Sequence, residues 1–320
     1  MTTNNQNSCC SGGSQTDAAA DTAADTAAGT DTGTEQTVAT HVDEQTRAEV
    51  SKNYAEALKR TQQSGEIAPA KSCCGGGGPA TEATVAQLAG YGLMMDDDLG
   101  SAAQSSFGCG NPLAFQDVQP GQTVLDLGSG AGLDLLIAAK KVGFEGKVIG
   151  VDMTDEMLDA ARANAQKAGA TQVELRKGVI EQLPVDDSSV DWVISNCVIN
   201  LSTDKPAVFR EVARVLAPGG RFAVSDIVVE ELPDSLRQHA VAYSACIGGA
   251  ISETEYIVGL EAAGLSDVKV TERMVYTTDQ LAGILTCDFG LDEAAISELG
   301  EALKSVEGKV WSAKFSGVRN

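Results

Sequence analysis

A glycine-rich turn between a strand pattern and a helix pattern is the first feature of the sequence that points to chemistry. The segment VLDLGSGAG, residues 124–132, places Gly128, Gly130 and Gly132 in this turn. Glycine allows a tight turn and lets a ligand lie against the backbone. The next apolar run, VIGVD, ends in Asp152, 20 residues beyond Gly132. A carboxylate at that place can accept hydrogen bonds from both hydroxyls of a ribose.

Two classes of ligand compete for this turn. A dinucleotide site requires G-x-G-x-x-G, but residues 128–133 read GSGAGL, so Leu133 stands where the third glycine belongs. Asp126, just before the turn, would also repel a pyrophosphate. An acid at this position instead suits a ligand with an amino group and a sulfonium. The turn resembles motif I of the class I S-adenosylmethionine methyltransferases.

Three cysteines flank the same group of predicted elements. Cys109 lies in FGCGNPL, ahead of the first strand, and Cys197 lies in SNCVINL, directly after the fourth. Cys246 lies in SACIGGA, at the end of the helix that follows the fifth strand. Open α/β sheets bind their ligands at the edge where the strands end. The cysteines are therefore either small buried apolar side chains or thiols that bind a soft metal or metalloid.

The elements that would position these residues alternate regularly from residue 122. Strand patterns (TVLDLG, KVIGVD, QVELRKG, VDWVISN and RFAVSDIV) are separated by helical patterns, and DVKVTERMV and KVWSAKFSGV follow as late strands. Strands that alternate with helices predict right-handed crossovers and a parallel sheet buried on both faces. We predict a doubly wound, Rossmann-like α/β fold whose sheet the late strands complete.

Composition divides the chain into four parts. Residues 1–40, rich in Ala, Thr and Asp, predict a disordered acidic tail. Residues 41–120 predict a helical extension, with helices over 44–63 and 81–99 and a connector rich in Cys and Gly between them. Residues 121–230 form the predicted ligand-binding core. Residues 231–320 are expected to complete the sheet and the site near Cys246, with capping boxes at Ser252-x-x-Glu255 and Thr277-x-x-Gln280.

The charge and cysteine content exclude several classes of protein. The chain has 320 residues and a formal net charge of −22, which argues against nucleic acid or an anionic membrane as a partner. The acidity is that of an ordinary acidic enzyme or of a surface adapted to a salt-rich cytoplasm. The N-terminus lacks a secretory signal, so we expect a cytoplasmic protein. In such a protein the eight cysteines favour reactive thiols over a disulfide framework, and zinc is poorly matched because there is no C-x-x-C pair.

Further motifs make the resemblance specific. The stretches GCGNPL, VLDLGSGAGLD, VIGVDMT, SNCVINL and CIGGAI, in this order and spacing, resemble those of the arsenite S-adenosylmethionine methyltransferases, over about residues 73–270. The resemblance implies a class I methyltransferase fold and S-adenosylmethionine as the cofactor. The residues it implies for cofactor binding are Asp126, Gly128, Ser129, Gly130, Gly132, Asp152, Met153, Ile180, Glu181 and Asn196.

The same resemblance implies roles for the cysteines. Cys109, Cys197 and Cys246 would be both the catalytic residues and the ligands of trivalent arsenic, a soft and thiophilic substrate. Cys73 and Cys74 would be an auxiliary thiol pair that delivers arsenic or forms a disulfide with Cys109. The implied partners are arsenite, methylarsenite and a thiol reductant of the thioredoxin or glutathione type.

Other interpretations and roles stay open at this stage. One alternative is a C- or O-methyltransferase for a quinone or another small metabolite, whose cysteines merely pack. Another is a non-catalytic protein that binds a metalloid through its thiols. Cys9 and Cys10 have no role or scavenge metal in the tail, and Cys287 is expected to pack.

The net charge generates a prediction about salt. If the surface is adapted to salt, the melting temperature and the activity should rise between 0.1 M and 1 M salt, because the Debye length falls from ~10 Å to ~3 Å and carboxylate repulsion is screened. Thermal melts across that range test this, and a flat or falling melting temperature would exclude the adaptation.

Overall fold

The computed structural model of the protein describes residues 32–63 and 117–320. Within these two ranges the seven strands are β1 (Thr123–Leu127), β2 (Lys147–Asp152), β3 (Val173–Lys177), β4 (Val190–Asn196), β5 (Leu216–Val229), β6 (Leu265–Val275) and β7 (Val310–Arg319). The helices are α1 (Thr32–Gln63), α2 (Leu133–Val142), α3 (Asp155–Lys167), α4 (Lys205–Val215), α5 (Asp234–Arg237), α6 (Ala240–Ser244), α7 (Glu253–Ala262), α8 (Thr278–Gly283) and α9 (Glu293–Ser305). A 3₁₀ turn spans Ile199–Leu201, and a π-helical turn spans Ile284–Asp288.

All seven strands belong to one sheet, in the order β3-β2-β1-β4-β5-β7-β6. The first five strands run parallel, and β7 pairs antiparallel with both β5 and β6. This confirms the predicted doubly wound α/β fold and the prediction that the two late strands complete the sheet. Because β1 lies between β2 and β4, the segments that follow these three strands meet at one edge of the sheet.

The apolar runs predicted to be central strands are buried on both faces. Val124, Leu125 and Leu127 of β1 are fully buried, and so is Val193 of β4. Apolar side chains of α2 cover one face of the sheet, and those of α4 and α7 cover the other. This burial supplies the main favourable term for folding and holds the strand ends rigidly in place.

The predicted helix starts in the C-terminal portion are confirmed. The Ser252 hydroxyl accepts from the Glu255 N–H while the Glu255 carboxylate accepts from the Ser252 N–H. Thr277 and Gln280 form the same reciprocal pair at the start of α8. These two capping boxes satisfy backbone donors that a helix start leaves without partners.

The N-terminal helix is longer than its sequence pattern predicted. Its C-terminal part coincides with the predicted helix over 44–63, but α1 begins at Thr32. Residues 32–40 are therefore helical where composition predicted a disordered tail. Adding a residue to an existing helix costs far less than nucleating one, so a segment of weak preference is helical when a packed helix follows it.

Several sequence predictions fall outside the described residues. They are the rest of the tail, the helix predicted over 81–99, and the cysteines at 9, 10, 73, 74 and 109. Within the described ranges, no helix is long and apolar enough to cross a bilayer.

Candidate functional site

One cavity at the carboxyl edge of β1, β2 and β4 is lined by all ten residues predicted to bind the cofactor. The space it encloses, together with the open solvent at its mouth, is about 1010 Å³. The lining also includes residues that were not among those predicted to bind the cofactor: Arg47, Val50, Tyr54, Asp134, Thr154, Met157, Val179, Leu201 and Ser202. Cys197 lies in the same wall.

The three glycines of the turn have different spatial roles. All have positive φ, at 63° for Gly128, 51° for Gly130 and 90° for Gly132. A Cβ on Gly128 would collide with the Val198 side chain, and one on Gly132 would lie 3.2 Å from the Ala161 Cβ. A Cβ on Gly130 would meet no atom within 4 Å. The outer glycines therefore allow close packing, while Gly130 leaves open the space that a ligand needs.

Asp152 is fixed by backbone donors on both sides. Its Oδ2 accepts from Gly130 N at 2.9 Å, and its Oδ1 accepts from Thr154 N at 2.8 Å. Burial raises the pKa of Asp152, while these backbone hydrogen bonds act to lower it. These contacts hold the carboxylate in the cavity wall, where the sequence predicts the acceptor for a ribose diol.

The cavity is acidic at the end nearest β1. Asp126, Asp134 and Asp152 all line it. Burial raises the pKa of Asp126 well above its usual value, and the neighbouring carboxylates of Asp134 and Asp152 raise it further. Three carboxylates around one space attract a cation and repel a phosphate. The residues present therefore fit a ligand that carries an ammonium and a sulfonium better than a dinucleotide.

The outer wall of the cavity is built by α1. Arg47 pairs with Glu181 at 3.4 Å, and Glu181 also accepts from the Ser202 hydroxyl at 2.7 Å. One turn further, the hydroxyls of Ser51 and Thr154 lie 3.1 Å apart. Arg47, Val50 and Tyr54 have the i, i+3, i+7 spacing of one helix face. The helical spacing of these residues can be read from the sequence, but the sequence does not show that this face of α1 covers the cavity.

Cys197 and Cys246 are brought together in one buried cluster. Cys197 follows β4, and Cys246 follows α6. The Cys246 Sγ donates to the Cys197 backbone O at 2.6 Å, and the Tyr54 hydroxyl lies 4.0 Å from the same sulfur. Both cysteines adopt left-handed backbone conformations, with φ of 57° and 61°. Such conformations cost residues with a Cβ roughly 1–3 kcal/mol each and cluster at functional sites.

The two cysteines differ in redox state. Cys246 is a free, buried thiol, whereas Cys197 takes part in a disulfide bond. The role of both residues as reactive thiols stays a prediction, and for Cys197 it requires reduction of this disulfide. Burial raises the pKa of the Cys246 thiol well above its usual value, and the nearby Asp226 carboxylate raises it further. Cys246 is thus protonated at neutral pH, which is consistent with its donation to the Cys197 carbonyl.

The other cysteines predicted to bind or deliver arsenic lie outside the described part of the chain. Cys109, Cys73 and Cys74 lie outside the described residues, as does the side chain of Cys287. Among the described residues, no group of three or more His, Cys, Asp or Glu side chains is arranged to hold a metal ion. The described part of the site is a pair of cysteine loops beside an acidic cavity.

Comparisons with known proteins place this geometry in context. A methyltransferase domain family matches residues 119–279. An arsenite methyltransferase from Halobacterium salinarum is 40% identical over 286 residues, covering 85% of this chain and 68% of that protein. An arsenite methyltransferase from Aquipseudomonas alcaligenes is 40% identical over 204 residues, covering 61% of this chain and 55% of that protein.

A solved structure shows the same similarity. The arsenic(III) S-adenosylmethionine methyltransferase from Chlamydomonas reinhardtii is 36% identical, with a TM-score of 0.53, and the match covers 65% of this chain and 66% of that chain. The chain thus spans about two thirds of two of these relatives and about half of the third.

The glycine turn and Asp152 generate a prediction about cofactor binding. We expect Gly130→Val to fill ligand space and Asp152→Ala to remove the ribose acceptor. Losing hydrogen bonds to a charged acceptor costs about 1.5–3 kcal/mol, or roughly 10- to 100-fold in affinity. Calorimetric titration with S-adenosylmethionine measures this, with the exposed Asp159→Ala as the control. Unchanged affinity in both cavity variants would mean that the cofactor binds elsewhere.

The crowded carboxylates predict opposite effects on affinity and stability. An acidic group whose pKa is raised by folding begins to destabilise the folded state when the pH exceeds its unfolded-state pKa. The destabilisation is complete above its folded-state pKa. Asp126→Asn should therefore raise the melting temperature of the ligand-free protein at pH 8 and weaken S-adenosylmethionine binding. Lowering the pH should reduce the stability difference between the two proteins, because Asp126 then becomes neutral in the parent. A variant that is less stable than the parent at pH 8 would contradict this electrostatic account.

Proposed function

Because the chain belongs to the arsenite methyltransferase family, we propose that it moves methyl groups from S-adenosylmethionine to trivalent arsenic held by cysteine sulfurs. One observation carries the proposal: the strained Cys197 and Cys246 loops meet beside a cavity shaped and charged for a sulfonium cofactor. The products are methylated arsenicals, so the activity is one of arsenic detoxification.

The cavity residues have distinct roles toward the cofactor. Asp152 would accept from the ribose hydroxyls, and Asp126 with Asp134 would face the ammonium and sulfonium end. Met153, Ile180 and Glu181 would bound the adenine, on the side where Arg47 of α1 holds Glu181. When bound, S-adenosylmethionine supplies an electrophilic methyl group for an in-line displacement.

The cysteines bind arsenite by ligand exchange. For each thiol an As–S bond forms, an As–O bond breaks, and the thiol proton leaves with the hydroxide as water. This exchange needs no separate base, which suits Cys246 because its thiol is protonated at neutral pH. The arsenic lone pair would then point away from the three sulfurs. On methyl transfer an As–C bond would replace the S–CH3 bond, S-adenosylhomocysteine would leave, and arsenic would pass formally from As(III) to As(V). Two thiols would return it to As(III) as they form a disulfide, which the thiol reductant would then reduce. Because Cys197 lies in the cavity wall, arsenic bound there would face the cofactor.

A thiol reductant belongs to the proposed reaction. The sulfur of Cys197 is engaged in a disulfide, and a disulfide sulfur cannot exchange with an arsenic hydroxide. Reduction by thiol–disulfide exchange restores the thiol. A small dithiol protein of the thioredoxin type or glutathione has the required chemistry. Arsenic binding by the described cysteine pair should therefore depend on prior reduction.

The alternative methyltransferase reading accounts less well for the cysteines. In a quinone C- or O-methyltransferase the two cysteines would only fill space. The left-handed backbone conformation costs roughly 1–3 kcal/mol at each cysteine. Packing alone does not explain why cysteine occupies these positions, since glycine would adopt the same conformation with less strain. If both loops bind one arsenic atom, the strained conformations are explained by the orientation that arsenic binding requires of the two cysteines.

The cysteines generate a split prediction. Cys197→Ser or Cys246→Ser should abolish methylation of both arsenite and methylarsenite, because a hydroxyl is too hard a donor to replace a thiolate on arsenic. Arsenic that already carries one methyl group has two positions left for sulfur. Cys109→Ser should therefore abolish the first reaction and leave much of the second. Cys287→Ser is the matched control and should behave like the parent.

The measurement is arsenic speciation after incubation with methyl-labelled S-adenosylmethionine and a thiol reductant. Label in methylated arsenic supports the enzyme, whereas arsenic binding without labelled product supports a protein that only sequesters metalloid. Full arsenite methylation by Cys197→Ser would contradict the ligand assignment. Labelling of a quinone in place of arsenic would establish the alternative methyltransferase.

A further inference from the structure

A buried polar network connects the loops of the two cysteines. Asn200 lies in the 3₁₀ turn three residues after Cys197 and is fully buried. Its Nδ2 lies 2.8 Å from Asp226 Oδ1, 2.6 Å from the Ile227 carbonyl and 3.2 Å from the Cys246 carbonyl. One side-chain amide thus touches β5 and the Cys246 loop while its own backbone belongs to the Cys197 loop.

Asp226 anchors this network to the sheet. It lies in β5, fully buried, and accepts at Oδ2 from the Asn200 backbone N–H at 3.2 Å and from the Tyr256 hydroxyl at 3.3 Å. Its Oδ1 also accepts from the Ile227 N–H at 2.9 Å. Burial raises the pKa of Asp226 to about 7, while the Ile227 N–H and the nearby Lys205 ammonium lower it. These donors stabilise a carboxylate that would otherwise be costly to bury.

The turn that carries Asn200 is held from two further sides. The Lys205 Nζ donates to the carbonyls of Ser202, at 3.0 Å, and Asn200, at 3.4 Å. On the other side, a Cβ on Gly249 would collide with the Asn200 backbone O. The segment after Cys246 therefore packs directly against this turn, with no room for a side chain between them. Together these contacts determine how far apart the two cysteine loops lie.

We propose that Asn200 and Asp226 are a positioning pair, which sets the spacing and orientation of the Cys197 and Cys246 loops and thereby the affinity for trivalent arsenic. This rests on the proposed function, because it assigns arsenic to those loops. Two left-handed cysteines persist only where the surrounding structure over-determines them, and the amide of Asn200 supplies that constraint. The directional hydrogen bonds of the Asn200 amide restrict the geometry of the loops in a way that apolar packing does not.

The position of the pair separates it from cofactor binding. Neither Asn200 nor Asp226 is part of the cavity lining, whereas Cys197 is. Loss of the pair should therefore change arsenic binding and leave cofactor binding unaltered. A purely structural role would lower stability and both affinities together. This difference is what the experiment measures.

The test uses the reduced full chain, arsenite alone as the probe, and S-adenosylmethionine in a parallel titration. Mutation of groups that orient metal ligands typically weakens binding by about 10- to 100-fold. We expect a loss of that size for arsenite with Asn200→Ala, and unchanged affinity for S-adenosylmethionine. In turnover, the KM for arsenite should rise while the KM for the cofactor stays constant. Ser225→Ala, which removes a buried hydroxyl from the same strand as Asp226, is the control and should bind both ligands like the parent.

A second variant guards against misfolding. Asp226→Asn keeps the volume of the side chain and an acceptor for the Asn200 amide, but loses the acceptor for the Asn200 backbone N–H. It should show a smaller loss of arsenite affinity than Asn200→Ala. If the alanine variant does not fold, the arsenite affinity of Asp226→Asn tests the positioning role.

The possible results distinguish a failure of the positioning role from a failure of the proposed function. Parent-like arsenite affinity in folded variants of both residues would overturn the positioning role, as would a parallel loss of both ligands. If the parent itself binds no arsenite through Cys197 and Cys246, the proposed function fails first, and the positioning role fails with it.

Discussion

The pairing of β1 with β2 on one side and β4 on the other is the constraint on which the site depends. The connection after β1 leads to β2 and the connection after β4 leads to β5, in opposite directions across the sheet, so these two segments diverge and leave a crevice between them. The glycine turn follows β1, Asp152 is the last residue of β2, and Cys197 follows β4. Their proximity is therefore a consequence of strand order. Any ligand in the crevice contacts the Cys197 loop on one side and the acidic residues on the other.

Electrostatics and backbone strain then give this crevice its chemical character. Burial and the neighbouring carboxylates of Asp134 and Asp152 raise the pKa of Asp126, so that a cationic ligand in the cavity would be stabilising. The two cysteines lie in left-handed conformations beside it. The Cys246 carbonyl accepts from the buried Asn200 amide, which also donates to the buried Asp226 carboxylate. Both features cost stability in the ligand-free protein. Such costs are typical of sites that are organised before the ligand arrives.

Features written into local sequence were predictable, and those that depend on distant packing were not. The strands, the glycine turn and the capping boxes of Ser252 and Thr277 follow from spacing within a few residues, and the structure confirms them. The wall formed by Arg47 and Tyr54 was missed, because a helix face does not reveal which surface it covers. The Asn200–Asp226 contact joins residues 26 positions apart and has no local pattern. The disulfide at Cys197 was not predicted either, because compartment and composition do not report the state of an individual sulfur.

The central claim is that arsenic binds between Cys197 and Cys246 and faces the cofactor. Crystals of the reduced protein with arsenite and S-adenosylhomocysteine test it most directly, because the anomalous scattering of arsenic locates that atom independently of the rest of the structure. The account predicts an arsenic peak bonded to the sulfurs of Cys197 and Cys246, on the side of the cavity where the homocysteine sulfur lies. An arsenic atom bound only by other cysteines, or one shielded from the cavity by the Cys197 loop, would contradict it.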